Sequence, residues 1–328
     1  MRYLVTGGAG FIGSHLTDAL ARRGDAVTVL DDLSTGDDRN LDEIRTTDSV
    51  ELVRGTALDA RLTDTLVSRS DVVVHLAATV GVELVVQDPL AALKNNILGT
   101  ETVLEACARH GAKALITSTS EIYGKNTADR LSEDADRIVG PPTKTRWAYA
   151  TSKVVDEIFA YEFHRQRGTP TIVIRLFNCS GPRQTGAYGM VIPRFVRQAL
   201  AAEDLTVFGD GYQTRCFCHV EDTVRAITEL LDEPEAVGGV FNIGGTEEIS
   251  IRGLAERVIE LTASESSIRY VSYEDAYEPG FEDMQRRVPD TSRIRALIGW
   301  EPIRSIDDIL VDVMAYERRA IEAEAGAR

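Results

Sequence analysis

The 328-residue sequence predicts an α/β fold, a doubly wound parallel sheet with a smaller α+β lobe attached. Three observations predict it. Apolar runs of strand length alternate with stretches of helical period through the first half of the chain. A Gly8-x-Gly10-x-x-Gly13 turn joins the first strand to the first helix. Past Pro182 the alternation loosens into shorter elements, which suits a second lobe built from returning segments. Strand–helix alternation makes parallel pairs with right-handed crossovers, and ligands then bind outside the carboxyl ends of the strands. A chain of this length can bury cores for both lobes.

The strands expected are 2–6, 26–31, 50–54, 71–76, 113–117 and 171–176, with helices at 12–24, 61–68, 88–110 and 148–167 between them. The first strand, Tyr3-Leu4-Val5, runs into Thr6-Gly7-Gly8-Ala9-Gly10-Phe11-Ile12-Gly13. A glycine such as Gly7 permits the tight turn, a bare backbone at Gly10 lets a pyrophosphate approach, and Gly13 lets helix and strand pack closely. The free N–H groups at the helix start, from Phe11 and Ile12, face the phosphates. This is the Rossmann dinucleotide fingerprint. Asp31 closes the second strand at the distance where an acid accepts from the adenosine ribose hydroxyls. Its charge would repel a 2′-phosphate, so NAD is expected rather than NADP. Asp32, Ser34 and Thr35 of the following turn join the expected cofactor contacts, as do Leu76, Ala77 and Ala78 after the fourth strand.

In the second half, helix 193–202, strand 205–208, helix 216–231, strand 239–243, helix 250–262, strand 268–272 and a helical tail from 305 are expected. The domain assignment is 1–178 for cofactor binding with 217–248 returning to it, and 179–216 with 249–328 for the second lobe. The Tyr/Glu/Pro/Gly-rich loop 273–284 is either flexible or a lid over substrate. Helices 88–110 and 148–167 have a second apolar face, which either makes a homodimer or is buried within one chain.

A net charge of −16 disfavours nucleic acid and anionic membrane as partners. No apolar run reaches membrane-spanning length, and the N-terminus enters a strand directly, so no signal peptide is expected. Four cysteines at 107, 179, 216 and 218 give no disulfide framework. Cys216-Phe217-Cys218 has the spacing that puts both thiols on one face of a strand, where buried thiols are the expectation and a metal is not. The cytoplasm is the compartment expected.

Tyr149-Ala150-Thr151-Ser152-Lys153 places a phenol and an ammonium at i and i+4 on one helix face. A nearby cation, with the positive nicotinamide, lowers a phenol that otherwise titrates near pH 10. The phenolate then removes a proton from a substrate alcohol while hydride leaves its carbon for NAD. Lys153 would also bond the cofactor ribose. Thr117-Ser118-Thr119-Ser120-Glu121-Ile122-Tyr123-Gly124 follows the apolar strand Ala114-Leu115-Ile116, so its hydroxyls lie at a carboxyl end over the cofactor. There Thr117 faces NAD and Thr119 can bond the reacting oxygen; the alternative is that they only satisfy turn backbone.

Fingerprint, hydroxyl strand end and Tyr-x-x-x-Lys together resemble the extended short-chain dehydrogenase/reductases that act on nucleotide sugars, over nearly the whole chain. Arg175-Leu176-Phe177-Asn178, Gly181-Pro182-Arg183 and Gln213-Thr214-Arg215-Cys216-Phe217 are similar to that family's nucleotide-sugar contacts. The resemblance implies a diphosphate held by Asn178 and Arg215, and a base bracketed by Val191 and Val207-Phe208. It maps Thr119, Tyr149 and Lys153 onto the catalytic triad and Asn96 onto an asparagine that orders the site.

Thr119-Ser120-Glu121 looks like the UDP-glucuronate decarboxylases (UDP-xylose synthases) and the decarboxylase domain of the bacterial aminoarabinose pathway. Ile138-Val139-Gly140-Pro141, Lys144-Thr145-Arg146-Trp147, Arg215-Cys216-Phe217 and Gly280-Phe281-Glu282-Asp283 leading into Arg286-Arg287-Val288-Pro289 match the latter further. By that resemblance Glu121 is an acid/base, Arg287 is functional, and Ser120 and Arg286 join the substrate contacts. Two stretches depart from the pattern. Thr79-Val80-Gly81-Val82-Glu83, beside the sugar, lacks a proline, and Thr79 is its expected substrate contact. Gly55-Thr56-Ala57-Leu58-Asp59 lacks the usual acid near the adenine amine, leaving Ala57 and Leu58 to give backbone and apolar contact.

The reaction implied first is decarboxylation of UDP-glucuronate to UDP-xylose or the 4-ketopentose. Oxidation at C4 makes a β-keto acid that loses CO2 through an enolate. A 4-epimerase of a UDP-hexose or UDP-uronate needs the same oxidation and is the alternative. A 4,6-dehydratase ranks below both. A non-catalytic NAD sensor ranks last, since it has no use for an aligned proton acceptor.

Overall fold

The computed structural model describes residues 1–44, 49–81, 88–276, 284 and 286–326. Val82 and Glu83, and the Gly280–Asp283 stretch of the expected lid, lie outside the described residues, and the Arg146 side chain is likewise not described. Seven strands form one parallel sheet: β1 (Arg2–Thr6), β2 (Ala26–Asp31), β3 (Val50–Arg54), β4 (Val72–His75), β5 (Lys113–Thr119), β6 (Thr171–Leu176) and β11 (Val240–Ile243). Their order is β11-β6-β5-β4-β1-β2-β3, the predicted doubly wound sheet. The order reverses between β1 and β4, which pair Thr6 with His75 at their carboxyl ends. That switch point is where such sheets open a crevice.

Side chains alternate across the sheet as the two-residue period requires. Tyr3, Val5, Val72, Val74 and Leu115 pack on one face with α1 (Phe11–Arg22) and α6 (Val220–Asp232). Leu4, Val73, Ala114 and Ile116 pack on the other with α2 (Ala60–Val67), α3 (Pro89–His110) and α4 (Ala148–Arg167). Helix α3 starts where Asp88 accepts from Ala91 N at 3.0 Å and Pro89 fills the first turn, and it stops at Gly111 with φ 71°. Both faces of the sheet are therefore covered, which explains the nearly unbroken apolar strands.

The rest is built of short pieces: β7 (Cys179–Ser180), α5 (Val191–Leu200), β8 (Leu205–Phe208), β9 (Thr214–Cys216), β10 (Cys218–His219), β12 (Glu248–Ser250), α7 (Ile251–Thr262), β13 (Ile268–Val271), α8 (Tyr273–Ala276), β14 (Arg286–Arg287), α9 (Ser292–Ile298) and α10 (Ile306–Gly326). Helices α5, α7 and α10 share a second core with β8 and β13. The helix expected over 216–231 begins only at Val220, because His219 caps it through Glu221 N and the chain ahead is strand. Cys216 and Cys218 consequently lie in different strands, Cys216 in the β12-β9-β14 sheet and Cys218 paired with Cys179. All four cysteines are free thiols. Helix α9, expected with the second lobe, packs instead under the main sheet, where Ile294 and Trp300 join its core. Trp300 Nε1 donates to the Asp222 carbonyl at 3.0 Å, and Asp222 Oδ2 accepts from Ile303 N and Arg304 N at 3.0 Å each. No described helix is long and apolar enough to cross a membrane.

Candidate active site

A cleft of about 2040 Å³ opens at the carboxyl ends of β1, β4 and β5. Its floor is the glycine turn. Gly7 adopts φ 71°, and a Cβ on Gly13 would stand 2.2 Å from the Gly7 carbonyl oxygen. Only glycine at both positions lets α1 start this close to β1. Asp31 ends β2 beside the turn, where its Oδ2 accepts from Ala9 N and its Oδ1 from Leu33 N, each at 2.9 Å. Burial raises its pKa, opposed by those two backbone bonds. Asp32, Ser34, Thr35, Ala57 and Leu58 line the same end, as do Leu76, Ala77 and Ala78 beyond β4. Thr117 also lines the cleft, and its buried hydroxyl makes no hydrogen bond among the described residues.

At the far end β5 runs two residues past its predicted stop, carrying Thr119 to its tip. The Tyr149 phenol, from the first turn of α4, shares this end of the cleft with the Thr119 hydroxyl. Burial raises the phenol's pKa, the Glu121 and Asp156 carboxylates push it further, and Thr119 opposes them. Lys153 lines the cleft one turn on, with Nζ 3.0 Å from Asp156 Oδ2. His75 lies beneath and is kept neutral, its pKa lowered to about 3 by burial and by the Lys153 charge.

Two arginines enter from neighbouring strands. In the parallel β9–β14 pair, Arg287 is the register partner of Arg215, and both are buried. Arg287 Nη1 donates to Glu121 Oε1 at 2.6 Å and stands 3.5 Å from Ser120 Oγ. Arg287 Nε is buried and has no hydrogen-bond partner among the described residues. Asn178 lines the cleft at φ 32°, with Nδ2 donating to the Cys216 carbonyl at 2.9 Å. Val191 and Phe208 line the outer wall, where the Arg194 guanidinium stacks 4.4 Å from the Phe208 ring centroid.

A profile of the NAD dependent epimerase/dehydratase family matches residues 3–244. The chain belongs to that family. It is therefore an NAD-dependent enzyme, similar at 39% identity over 318 residues to the UDP-N-acetyl-alpha-D-glucosaminuronate decarboxylase of Bacillus cytotoxicus, covering 97% of this chain and 98% of that one. UDP-glucuronic acid decarboxylase 1 of Xenopus tropicalis is 35% identical over 324 residues, 99% of this chain and 74% of the relative. The crystal structure of a UDP-glucuronic acid 4-epimerase from Bacillus cereus, in complex with UDP-glucuronic acid and NAD, superposes with a TM-score of 0.88 at 29% identity, covering 98% and 100% of the two chains.

The residues present fit the family's dinucleotide. The glycine turn leaves no room for side chains, Asp31 keeps carboxylate lone pairs toward the cleft rim, and the Thr117 hydroxyl awaits a partner. Other expected contacts fall elsewhere. Asn96 sits behind the wall, donating to Ser152 Oγ at 3.1 Å and accepting from Thr79 N at 2.8 Å, so it ties the β4 loop to α4. Val207 points into the core of the second lobe while its neighbour Phe208 faces the cleft, as strand alternation demands. Arg286 faces out and pairs with Glu248 at 2.8 Å, since β14 can turn only one of its two arginines inward. Arg175 is buried against Glu157 at 2.7 Å and against Tyr123, so of its stretch only Leu176 and Asn178 reach the cleft. Sequence reasoning missed Asp156 and Arg194. Both were legible as spacing: Asp156 follows Lys153 by three and Arg194 follows Val191 by three, each on one helix face.

Proposed function

We propose that this enzyme oxidises C4 of a UDP-hexuronate and releases its C6 carboxylate as CO2. The observation that carries the reading is the part-buried Glu121–Arg287 pair beside Thr119 and Tyr149. A neutral hexose gives such a pair nothing to do, whereas a uronate carboxylate matches Arg287, whose Nε has no partner among the described residues.

Tyr149 accepts the O4 proton while Thr119 holds that oxygen and Lys153 favours the phenolate. NAD supplies the hydride acceptor at C4 and, when retained, the donor that turns the 4-ketopentose into UDP-xylose. Arg287 holds the carboxylate of the β-keto acid, CO2 leaves with the C5–C6 electron pair left on the enolate, and Glu121 protonates C5. A substrate carboxylate that takes Arg287 strips Glu121 of its counter-ion. Glu121 then takes up a proton from water and holds it more tightly, as a donor to C5 must. Asn178 and Arg215 bind the diphosphate, Val191 and Phe208 flank the base, and Ser120 and Thr79 face the sugar.

UDP-glucuronate is the first substrate proposed. A C2-acetamido uronate is the second, favoured by the near full-length match of both chains with the Bacillus cytotoxicus relative. The same proposal assigns 1–178 with 217–248 to NAD and the remainder, α9 apart, to the nucleotide sugar. It places the enzyme in the cytoplasm, in keeping with four free thiols. It also makes it a homodimer through α3 and α4, whose outer faces expose Leu98, Ile158 and Tyr161.

The test is purified enzyme with NAD and, separately, UDP-glucuronate, its 2-acetamido analogue and UDP-glucose, read by mass. Loss of CO2 from a uronate supports the proposal. An unchanged mass with inverted C4 would replace it with a 4-epimerase, and loss of water from the hexose with a dehydratase.

A further inference from the structure

Helix α4 carries a buried acid that the proposed chemistry leaves unused. Lys153 and Asp156 are joined at 3.0 Å, with side chains 3% and 0% exposed. Lys153 lines the cleft, and Asp156 stands behind its wall. Helix α3 completes the holder. Its Asn96 donates to Ser152 Oγ at 3.1 Å, a polar rung between the helices, and four residues on the buried Thr100 neighbours Asp156 at the same step along both helices. An ammonium has three N–H donors. With one tied to Asp156, the others are held toward the cleft.

Other ionisable groups surround Tyr149, and of these the Glu121 carboxylate also keeps the phenol protonated. From the turn after β5, Glu121 is met by Arg287 of β14. On its own helix, Glu157 is met by Arg175 and by Ser118. From β4, His75 is neutral. On α4 itself, the pair that bears on how readily the phenol ionises is Lys153 with Asp156. Resting on the reading of Tyr149 as proton acceptor, we propose that Asp156 is a positioning residue, which anchors the Lys153 ammonium and offsets its charge, and so sets the pH range in which the enzyme turns over. Its carboxylate lies two helical turns from Tyr149, roughly 10 Å along the axis. At an effective dielectric near 20, a unit charge at about that range moves a titration by about one pH unit.

Asp156→Asn keeps the size of the side chain and an acceptor for Nζ while removing the charge. The NAD-loaded protein is titrated by tyrosinate ultraviolet absorbance, with Tyr149→Phe as the blank, and the pH profile of kcat is recorded with the uronate. The expected result is a phenol midpoint about one pH unit lower, with the acid limb of kcat displaced equally. Asp156→Glu, which restores the charge, should return both toward wild type, while Asp156→Ala, which removes anchor and charge, should lower kcat by about 10²-fold. Should the Asn variant not fold, Asp156→Ser is read in the same way. A midpoint and an acid limb that stay in place overturn the proposal, even where kcat falls, because a merely structural acid lowers the rate at every pH. Turnover by Tyr149→Phe would remove the reading beneath it, and is told apart because the phenol titration needs no substrate.

Discussion

Replacing Glu121 by Gln separates the two halves of the proposed reaction. The variant keeps an oxygen for Arg287 Nη1, now 2.6 Å from Oε1, but takes away the charge and the proton. A hydrogen bond to a charged group contributes about 1.5–3 kcal/mol and a neutral one about 0.5–1.5, so the exchange costs about 1 kcal/mol. Arg287 also loses its counter-charge. Its side chain is 11% exposed and faces the cleft, so this adds less than the 3–5 kcal/mol of a fully buried broken pair. Against a typical total of 5–15 kcal/mol the fold survives. Removing a general acid costs about 10²–10⁴-fold in rate, so chemistry is the larger effect. In single turnovers with UDP-glucuronate, NADH absorbance should report C4 oxidation within about tenfold of wild type. CO2 release should fall by about 10²–10³-fold, with the 4-ketouronate accumulating. The acid limb of C4 oxidation should also move to lower pH, because one of the carboxylates that keep the phenol protonated has gone. If CO2 release slows no more than C4 oxidation, Glu121 is not the C5 donor.

Gly13→Ala puts a methyl 2.2 Å from the Gly7 carbonyl oxygen, so α1 must retreat; a loss of about 1–3 kcal/mol of stability and a severalfold weaker NAD titration are expected. Arg286→Ala should leave kcat and KM within about twofold, since it removes surface contacts with Glu248 and Asp129 that face away from the cleft. For His75, the folded pKa of about 3 lies below the ordinary histidine value of 6.5, so the unfolded chain takes up the proton first as pH falls. Its contribution is complete above about pH 6.5 and declines toward pH 3 by about 1.4 kcal/mol per unit, and denaturant unfolding of His75→Asn should show a shallower fall between pH 6 and 4.

The sheet was legible because its central strands are covered on both faces and read as apolar runs. Tyr3-Leu4-Val5 and Val72-Val73-Val74 need no context to be recognised. The glycine turn was legible because sterics leave one residue type there. The short strands were not. β9, β12 and β14 hold two or three residues each, too few for a period to show, and they exist through pairing over long sequence separations. Which of Arg286 and Arg287 turns inward depends on that pairing, and so does the break at Phe217 that separates Cys216 from Cys218. Helix α9 escaped detection for another reason. It has seven residues and one buried side chain, Ile294, and its place under the sheet is fixed by Trp300 and Asp222 beyond its own ends.

The site joins its parts by charge rather than by sequence distance. The two cations that the proposal sets beside the reacting carbons are each held by an acid: Arg287 by Glu121, and Lys153 by Asp156. The two pairs differ in what can reach them. Glu121 and Arg287 both line the cleft, so an incoming carboxylate can exchange into that pair. Asp156 is walled off, so its bond to Lys153 persists while ligands come and go. An exchangeable pair suits a proton delivered once per turnover, after CO2 has left. A permanent pair suits a base whose proton affinity must stay constant from the first oxidation to the last reduction. The order of the chemistry is thus written in which acid faces the cleft, and a substrate without a carboxylate would leave Glu121 locked to Arg287 throughout.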